Sequence, residues 1–197
     1  MRFCGSDTVS ITGVILAGGR GSRMGGEDKG LVLYQGKPLY QHVLSRLRPQ
    51  VSRVCISANR NLSVYQQTGL SVITDTLPDF PGPLAGMLAA LEKIETEWVV
   101  FVSCDTPLLP EDLVSRLWQA KRDAPVVWAK SDGRDHPTLA LMHVSLIEPL
   151  KSFLIKGERK VMIFLQQAGG HSVDFNDCPD AFNNINRYED LIAGERG

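Results

Sequence analysis

Through the first 120 residues, short apolar runs rich in β-branched side chains alternate with stretches of helical periodicity. The runs are 11–17 (ITGVILA), 53–58 (RVCISA), 71–74 (SVIT) and 98–103 (WVVFVS). Each stops at a glycine or is followed closely by Asn or Asp: Gly18-Gly19, Asn59, Asp75 and Asp105. Continuous apolar strands need cover on both faces, and alternation with helices is the pattern of parallel strands joined by right-handed crossovers. The expected fold is therefore a three-layer α/β/α unit with a mostly parallel, Rossmann-like sheet. Ligands of such sheets sit at the carboxyl ends of the strands, where these glycine, asparagine and aspartate residues fall.

Helices are expected from Leu39 to before Pro49, over 62–67, over 84–94 with Pro83 near the start, and from Pro110-Glu111-Asp112 onward. The second half adds strands at 126–129, 138–142 and 171–175, and a turn at Ser131-Asp132-Gly133. Helices are expected near 145–155 and 160–167, and a last one over 188–193 capped by Asn186. A short strand at 31–34 should be broken by Gly36-Lys37-Pro38. Residues 1–10 read as a polar tail and 11–197 as one domain.

Composition excludes several classes. The 43% hydrophobic and 22% charged residues fit a globular chain rather than a disordered one. Twenty-one Lys and Arg against 22 Asp and Glu leave a net charge of −1, so bulk charge makes no case for nucleic acid or an acidic membrane. No apolar stretch is long enough to span a bilayer. Cys4, Cys55, Cys104 and Cys178 have neither zinc-ligand spacing nor a disulfide pattern, and reduced thiols in the cytoplasm are expected. His42, His136, His143 and His171 form no metal motif, and His136 before Pro137 reads as structural.

The most informative segment is Leu16-Ala-Gly-Gly-Arg-Gly-Ser-Arg-Met-Gly-Gly-Glu-Asp-Lys29. Glycines let backbone N–H groups approach an anion, and Arg20, Arg23 and Lys29 add positive charge, so a triphosphate is the natural guest. A P-loop is excluded because no Gly-Lys is followed by Ser or Thr. A dinucleotide fingerprint fits poorly. Its helix should open at once, yet Gly26, Gly30, Gly36 and Pro38 delay the helix to Leu39, and Arg60 lies too far on to read a ribose.

The loop instead resembles the signature of nucleotidyltransferases. The ordered set over nearly the whole chain resembles the family of bacterial molybdenum cofactor guanylyltransferases. The set comprises ITGVILAGG from Ile11, Arg23-Met-Gly-Gly, Asp28-Lys29-Gly30, Gly36-Lys-Pro-Leu, Ser57-Ala-Asn-Arg and Pro81-Gly-Pro-Leu-Ala-Gly-Met. It continues with Cys104-Asp-Thr-Pro, Arg134-Asp-His-Pro-Thr, Gly157-Glu-Arg and Asn184-Ile-Asn.

The resemblance implies transfer of GMP from GTP to molybdopterin, with or without molybdenum, releasing pyrophosphate and forming molybdopterin guanine dinucleotide. It implies Mg2+. Leu16, Ala17, Gly18, Gly19, Arg20, Lys29, Asn59, Asp75 and Asp105 would bind the nucleotide, and Asp105 would also bind the metal. Lys29, Arg23 and Asp105 would be catalytic. Arg159, Lys160, Asn184 and Asn186 would hold the acceptor, so the first half would serve GTP and the second half the acceptor. Molybdenum-insertion proteins and recipient molybdoenzymes are candidate partners, and a monomer is expected. Ser57 stands where the family often carries another asparagine, and a hydroxyl offers fewer donors and acceptors than an amide. The alternatives are another nucleotidyltransferase of the same fold, acting with CTP or on a sugar or alditol phosphate, and a non-catalytic nucleotide-binding module.

Overall fold

A computed structural model of the chain describes residues 9–17, 27–77 and 82–185. Gly18, Gly19, Arg20, Arg23, Asn186, the expected last helix and most of the polar tail lie outside the described residues. The strands are β1 (Ile11–Leu16), β2 (Leu33–Tyr34), β3 (Lys37–Pro38), β4 (Arg53–Ser57), β5 (Ser71–Ile73), β6 (Trp98–Ser103), β7 (Val126–Ser131), β8 (Arg134–His143) and β9 (His171–Asp174). The α-helices are α1 (Leu39–Leu47), α2 (Leu62–Gln66), α3 (Pro83–Lys93), α4 (Leu113–Ala120), α5 (Ile147–Ile155) and α6 (Val161–Gln167).

Seven strands form one sheet in the order β5-β4-β1-β6-β8-β7-β9. All neighbours pair in parallel except β8, which runs antiparallel to both β6 and β7. Alternate side chains enter opposite layers, as the period of two requires. Ile15, Ile56, Val100 and Val102 join one core with Val43 and Leu47 of α1, Tyr65 of α2 and Leu117 of α4. Val14, Cys55, Val99 and Phe101 join the other with Met87 and Leu88 of α3, Leu150 and Leu154 of α5 and Leu165 of α6. The three-layer α/β fold is therefore present.

Several boundaries differ from expectation. Leu31 belongs to a 3-10 turn, Lys29–Leu31, rather than to a strand. Lys37 and Pro38 do not break the next strand but form its return arm, because Gln35 and Gly36 both take positive φ and close a two-residue hairpin. The helix expected from Pro110 begins at Leu113, with Asp112 before it. The strand expected at 138–142 is twice as long, Arg134–His143. Asp132 and Gly133, both at positive φ, make the tight turn that pairs it with β7. Cys55 and Cys104 are buried free thiols, and Cys178 is a half-buried one. Among the described residues no helix is long and apolar enough to cross a membrane.

Candidate nucleotide-binding site

The chain runs from β1 outward to β4 and β5, then returns to place β6 on the other side of β1. The crevice at such a reversal, outside the carboxyl ends of the strands, is the place a parallel sheet offers a ligand. The register defines the last row of the sheet there: Ile73, Ser57, Leu16 and Ser103 lie side by side on β5, β4, β1 and β6. Ala17 follows one residue on, and Asp75, Asn59 and Asp105 two residues on, so strand pairing gathers four separated segments on one edge. The ladder continues past the strands, with Ala17 N–H donating to Ser57 O at 2.8 Å and Cys104 N–H to Leu16 O at 3.3 Å.

Asp105 is 8% exposed. Its Oδ1 accepts the Ser103 hydroxyl at 2.5 Å, and its Oδ2 lies 3.2 Å from Lys29 Nζ. Its backbone oxygen accepts from Ile185 N–H at 2.9 Å, which fastens exposed Asn184 beside it. Ile185 itself packs with Val32, Tyr34 and Leu39 in a small cluster. Lys29 reaches Asp105 across 76 positions of sequence, from the 3-10 turn at the end of the glycine loop. The structure thus joins two of the three residues expected to be catalytic, and the 3-10 turn gives Lys29 a defined origin.

Asp75 and Asn59 form a second pair. The Asn59 Oδ1 accepts the Asp75 N–H at 2.9 Å, and partial burial pushes the Asp75 carboxyl above its ordinary range against a lowering influence from Asn59. Helix α3 passes directly behind. A Cβ on Gly86 would lie 2.9 Å from Ser57 Oγ and 3.4 Å from Asp75 Oδ1, so only glycine permits this approach. Gly82, at φ 97°, begins α3 in a conformation that favours glycine. Ser57 is buried, so its hydroxyl occupies a confined position under the edge.

Of the expected acceptor residues, Asn184 stands beside Asp105, and Arg159 and Lys160 lie on the turn between α5 and α6. Arg159 Nη1 donates to Glu158 O at 3.1 Å, and Lys160 is exposed. His136 bonds Ser131 Oγ through Nε2 at 2.8 Å and stacks on Phe182 at 4.7 Å. Burial pushes its pKa below the ordinary value, in keeping with a structural role.

Asp28 is the residue that sequence reasoning left without a role. It is 6% exposed and accepts hydrogen bonds from Gly30 N–H, Asn61 Nδ2 and the Tyr65 hydroxyl. The available signal was its place beside Lys29 in the motif. Arg60, weighed as a ribose-phosphate ligand, instead has its Nη2 on Glu27 O at 2.9 Å.

Metal coordination can be tested against these donors. Among the described residues no group of three or more His, Cys, Asp or Glu side chains converges on one point. Zinc-type sites are thus not assembled there. One rigid carboxylate on a strand end suits a hard divalent cation that takes most of its ligands from phosphate and water.

Comparison with known proteins agrees with this geometry. Residues 13–171 match a family model described as the MobA-like NTP transferase domain. A molybdenum cofactor guanylyltransferase of Serratia proteamaculans is 56% identical over 186 residues, 94% of each chain. One of Yersinia pestis is 54% identical over 187 residues, 95% of this chain and 96% of that one. Among solved structures, molybdopterin-guanine dinucleotide biosynthesis protein A of Archaeoglobus fulgidus superposes with a TM-score of 0.77 at 23% identity. That match covers 94% of this chain and 97% of that one. A 4-diphosphocytidyl-2C-methyl-D-erythritol synthase of Anaerococcus prevotii superposes at 0.74 with 11% identity and 95% coverage of both chains, which speaks to fold alone. On the family match and the near-full-length identity together, this chain belongs to the MobA-like NTP transferase family.

Proposed function

We propose that the chain transfers GMP from GTP to the terminal phosphate of molybdopterin, releasing pyrophosphate and forming molybdopterin guanine dinucleotide. The observation that carries this reading is 56% identity, across 94% of the chain, to a protein named molybdenum cofactor guanylyltransferase. The edge of the sheet supplies compatible chemistry. Leu16 and Ala17 begin the glycine loop with Gly18, Gly19 and Arg20, and this segment receives the triphosphate. Asn59 and Asp75 serve the base, where a carboxylate can accept from guanine N1–H and the exocyclic amine.

The acceptor phosphate is already largely ionised near neutral pH, since its second pKa is about 6, so no general base is needed. The protein's work is alignment and charge neutralisation. Lys29 and Arg23 offset the charge that builds on the departing pyrophosphate. Asp105, with Ser103 orienting one oxygen, would hold Mg2+, which would supply charge neutralisation at the phosphates. Arg159, Lys160, Asn184 and Asn186 receive the acceptor, so that the second half of the chain presents it to a nucleotide held by the first. We place this single-domain enzyme in the cytoplasm as a monomer, receiving its acceptor from molybdenum-insertion proteins and passing product to molybdoenzymes.

Pyrophosphate release measured with GTP, CTP, ATP and UTP, each with and without molybdopterin, tests the reading. Release with GTP that requires the acceptor is expected. Preference for CTP points to a cytidylyltransferase, and binding of GTP without turnover points to a carrier module; either result overturns the proposal. The approach of α3 supplies a second check. In Gly86→Ala the new methyl must displace Ser57, so the KM for GTP is expected to rise about tenfold while kcat changes less, because a sub-ångström displacement at a binding surface is enough for such a loss. Unchanged KM in steady-state assays would remove Ser57 and Asp75 from the nucleotide surface.

A further inference from the structure

We infer that Asp28 is a positioning residue of the transfer reaction: its buried carboxylate fixes the turn from which Lys29 reaches Asp105. The inference rests on the reading that Lys29 acts on the nucleotide phosphates. Both oxygens of Asp28 are engaged. Oδ1 accepts from Gly30 N–H at 3.1 Å and from the Tyr65 hydroxyl at 2.9 Å, and Oδ2 accepts from Asn61 Nδ2 at 3.1 Å. A carboxylate this far from water is costly unless it is satisfied, so these donors hold it in one place.

Three features are shaped for this contact. Asn61 takes left-handed backbone angles, φ 52° and ψ 33°, and makes no side-chain cap for its own helix α2; its amide goes to Asp28 instead. Tyr65 is fully buried, with its ring edge-on to Tyr40 at 5.3 Å. Burial and the neighbouring Asp28 charge push its phenol pKa up, so the hydroxyl stays protonated and donates. Gly30 leaves room for that hydroxyl, since a Cβ there would collide with it. Arg60, on the same connection as Asn61, grips Glu27 O one residue earlier. The segment after β4 therefore clamps Glu27 and Asp28.

Asp28 and Lys29 thus form a two-sided tether. One side chain anchors the turn to the β4–α2 connection, and the next crosses to the end of β6. A misplacement of Lys29 by about 1 Å is enough to cost about a hundredfold in rate. Loss of a carboxylate that only stabilised the fold would lower the melting temperature without changing turnover per folded molecule.

A double-mutant cycle on the full chain, read as pyrophosphate release with GTP and molybdopterin, separates the two roles. Asp28→Asn is expected to lower kcat about 10- to 100-fold, with the KM for GTP within about threefold of the parent. Combined with Lys29→Met it is expected to cost nothing further, because the residue it positions is gone. Circular dichroism and thermal melting confirm that each variant is folded. Should Asp28→Asn not fold, Tyr65→Phe, which keeps the ring and removes one donor, enters the same cycle with a smaller loss of about threefold to tenfold. An equal loss in both backgrounds, or full kcat in Asp28→Asn, overturns the inference while leaving Lys29 catalytic. Full kcat in Lys29→Met overturns the role of Lys29 itself and Asp28's role with it, so the two failures are distinguishable.

Discussion

Asp105→Asn is expected to lower kcat by about a thousandfold, with the thermal midpoint within about 4 °C of the parent. The size of the loss follows from what the substitution removes. An amide keeps the shape, and one oxygen can still accept the Ser103 hydroxyl, but the negative charge at the end of β6 is gone. Charge is what a divalent cation on this side chain requires, and such a cation contributes several kcal/mol at a phosphoryl centre. The small thermal effect follows from what the amide keeps: its oxygen still accepts the Ser103 hydroxyl, and Lys29, whose side chain is 23% exposed, retains access to water. Pyrophosphate release and thermal melting check the two halves of the prediction together. Near-parent turnover would take Asp105 out of the chemistry, and a collapsed midpoint would make its role structural.

Lys29→Met is expected to cost about a hundredfold or more in kcat/KM, and Lys29→Arg to recover little of it. Methionine matches the length of the stem without the charge. Arginine keeps the charge but spreads it over a planar fork, which suits a lasting bidentate grip on Asp105 better than a point charge that must serve phosphate oxygens. The distance of 3.2 Å to Asp105 Oδ2 places the ammonium group at the strand edge before any ligand arrives. Kinetics of both variants at saturating acceptor check this. Full recovery by arginine would show that charge alone, without its geometry, is what the site needs.

The layered α/β fold was legible because local patterning and global packing agree. In β6 Val99 and Phe101 face one core and Val100 and Val102 the other, which is what a run such as WVVFVS implies. Strand β8 extends through Pro137, a residue that argues against a regular ladder. Its register with β7 shifts between Trp128 and Ala129, whose partners are Ala140 and His136, so Pro137 falls in the irregularity where no ladder donor is needed. The site was legible as a set of residue types at strand ends. Its internal contacts were not: Asp28 meets Tyr65 across 37 positions, and Lys29 meets Asp105 across 76. Such pairings depend on how β4 and β6 flank β1, which no local window contains. The β2–β3 hairpin was missed for a local reason, since Gln35 must adopt positive φ, a state that glutamine rarely takes and that its sequence does not announce.

The ion pair between Lys29 and Asp105 also sets a condition on ligands. While the two charges face each other, this pair offers neither a free cation for a lone anion nor a free carboxylate for a lone metal. An anion that takes Lys29 leaves Asp105 uncompensated, and a cation that takes Asp105 leaves Lys29 so. A guest carrying both signs, a triphosphate with its counter-ion, satisfies both ends at once. Coupling of this kind is reciprocal by thermodynamic necessity, each half of the guest raising the affinity for the other by the same factor. The resting pair thus works as a coincidence detector built from two side chains.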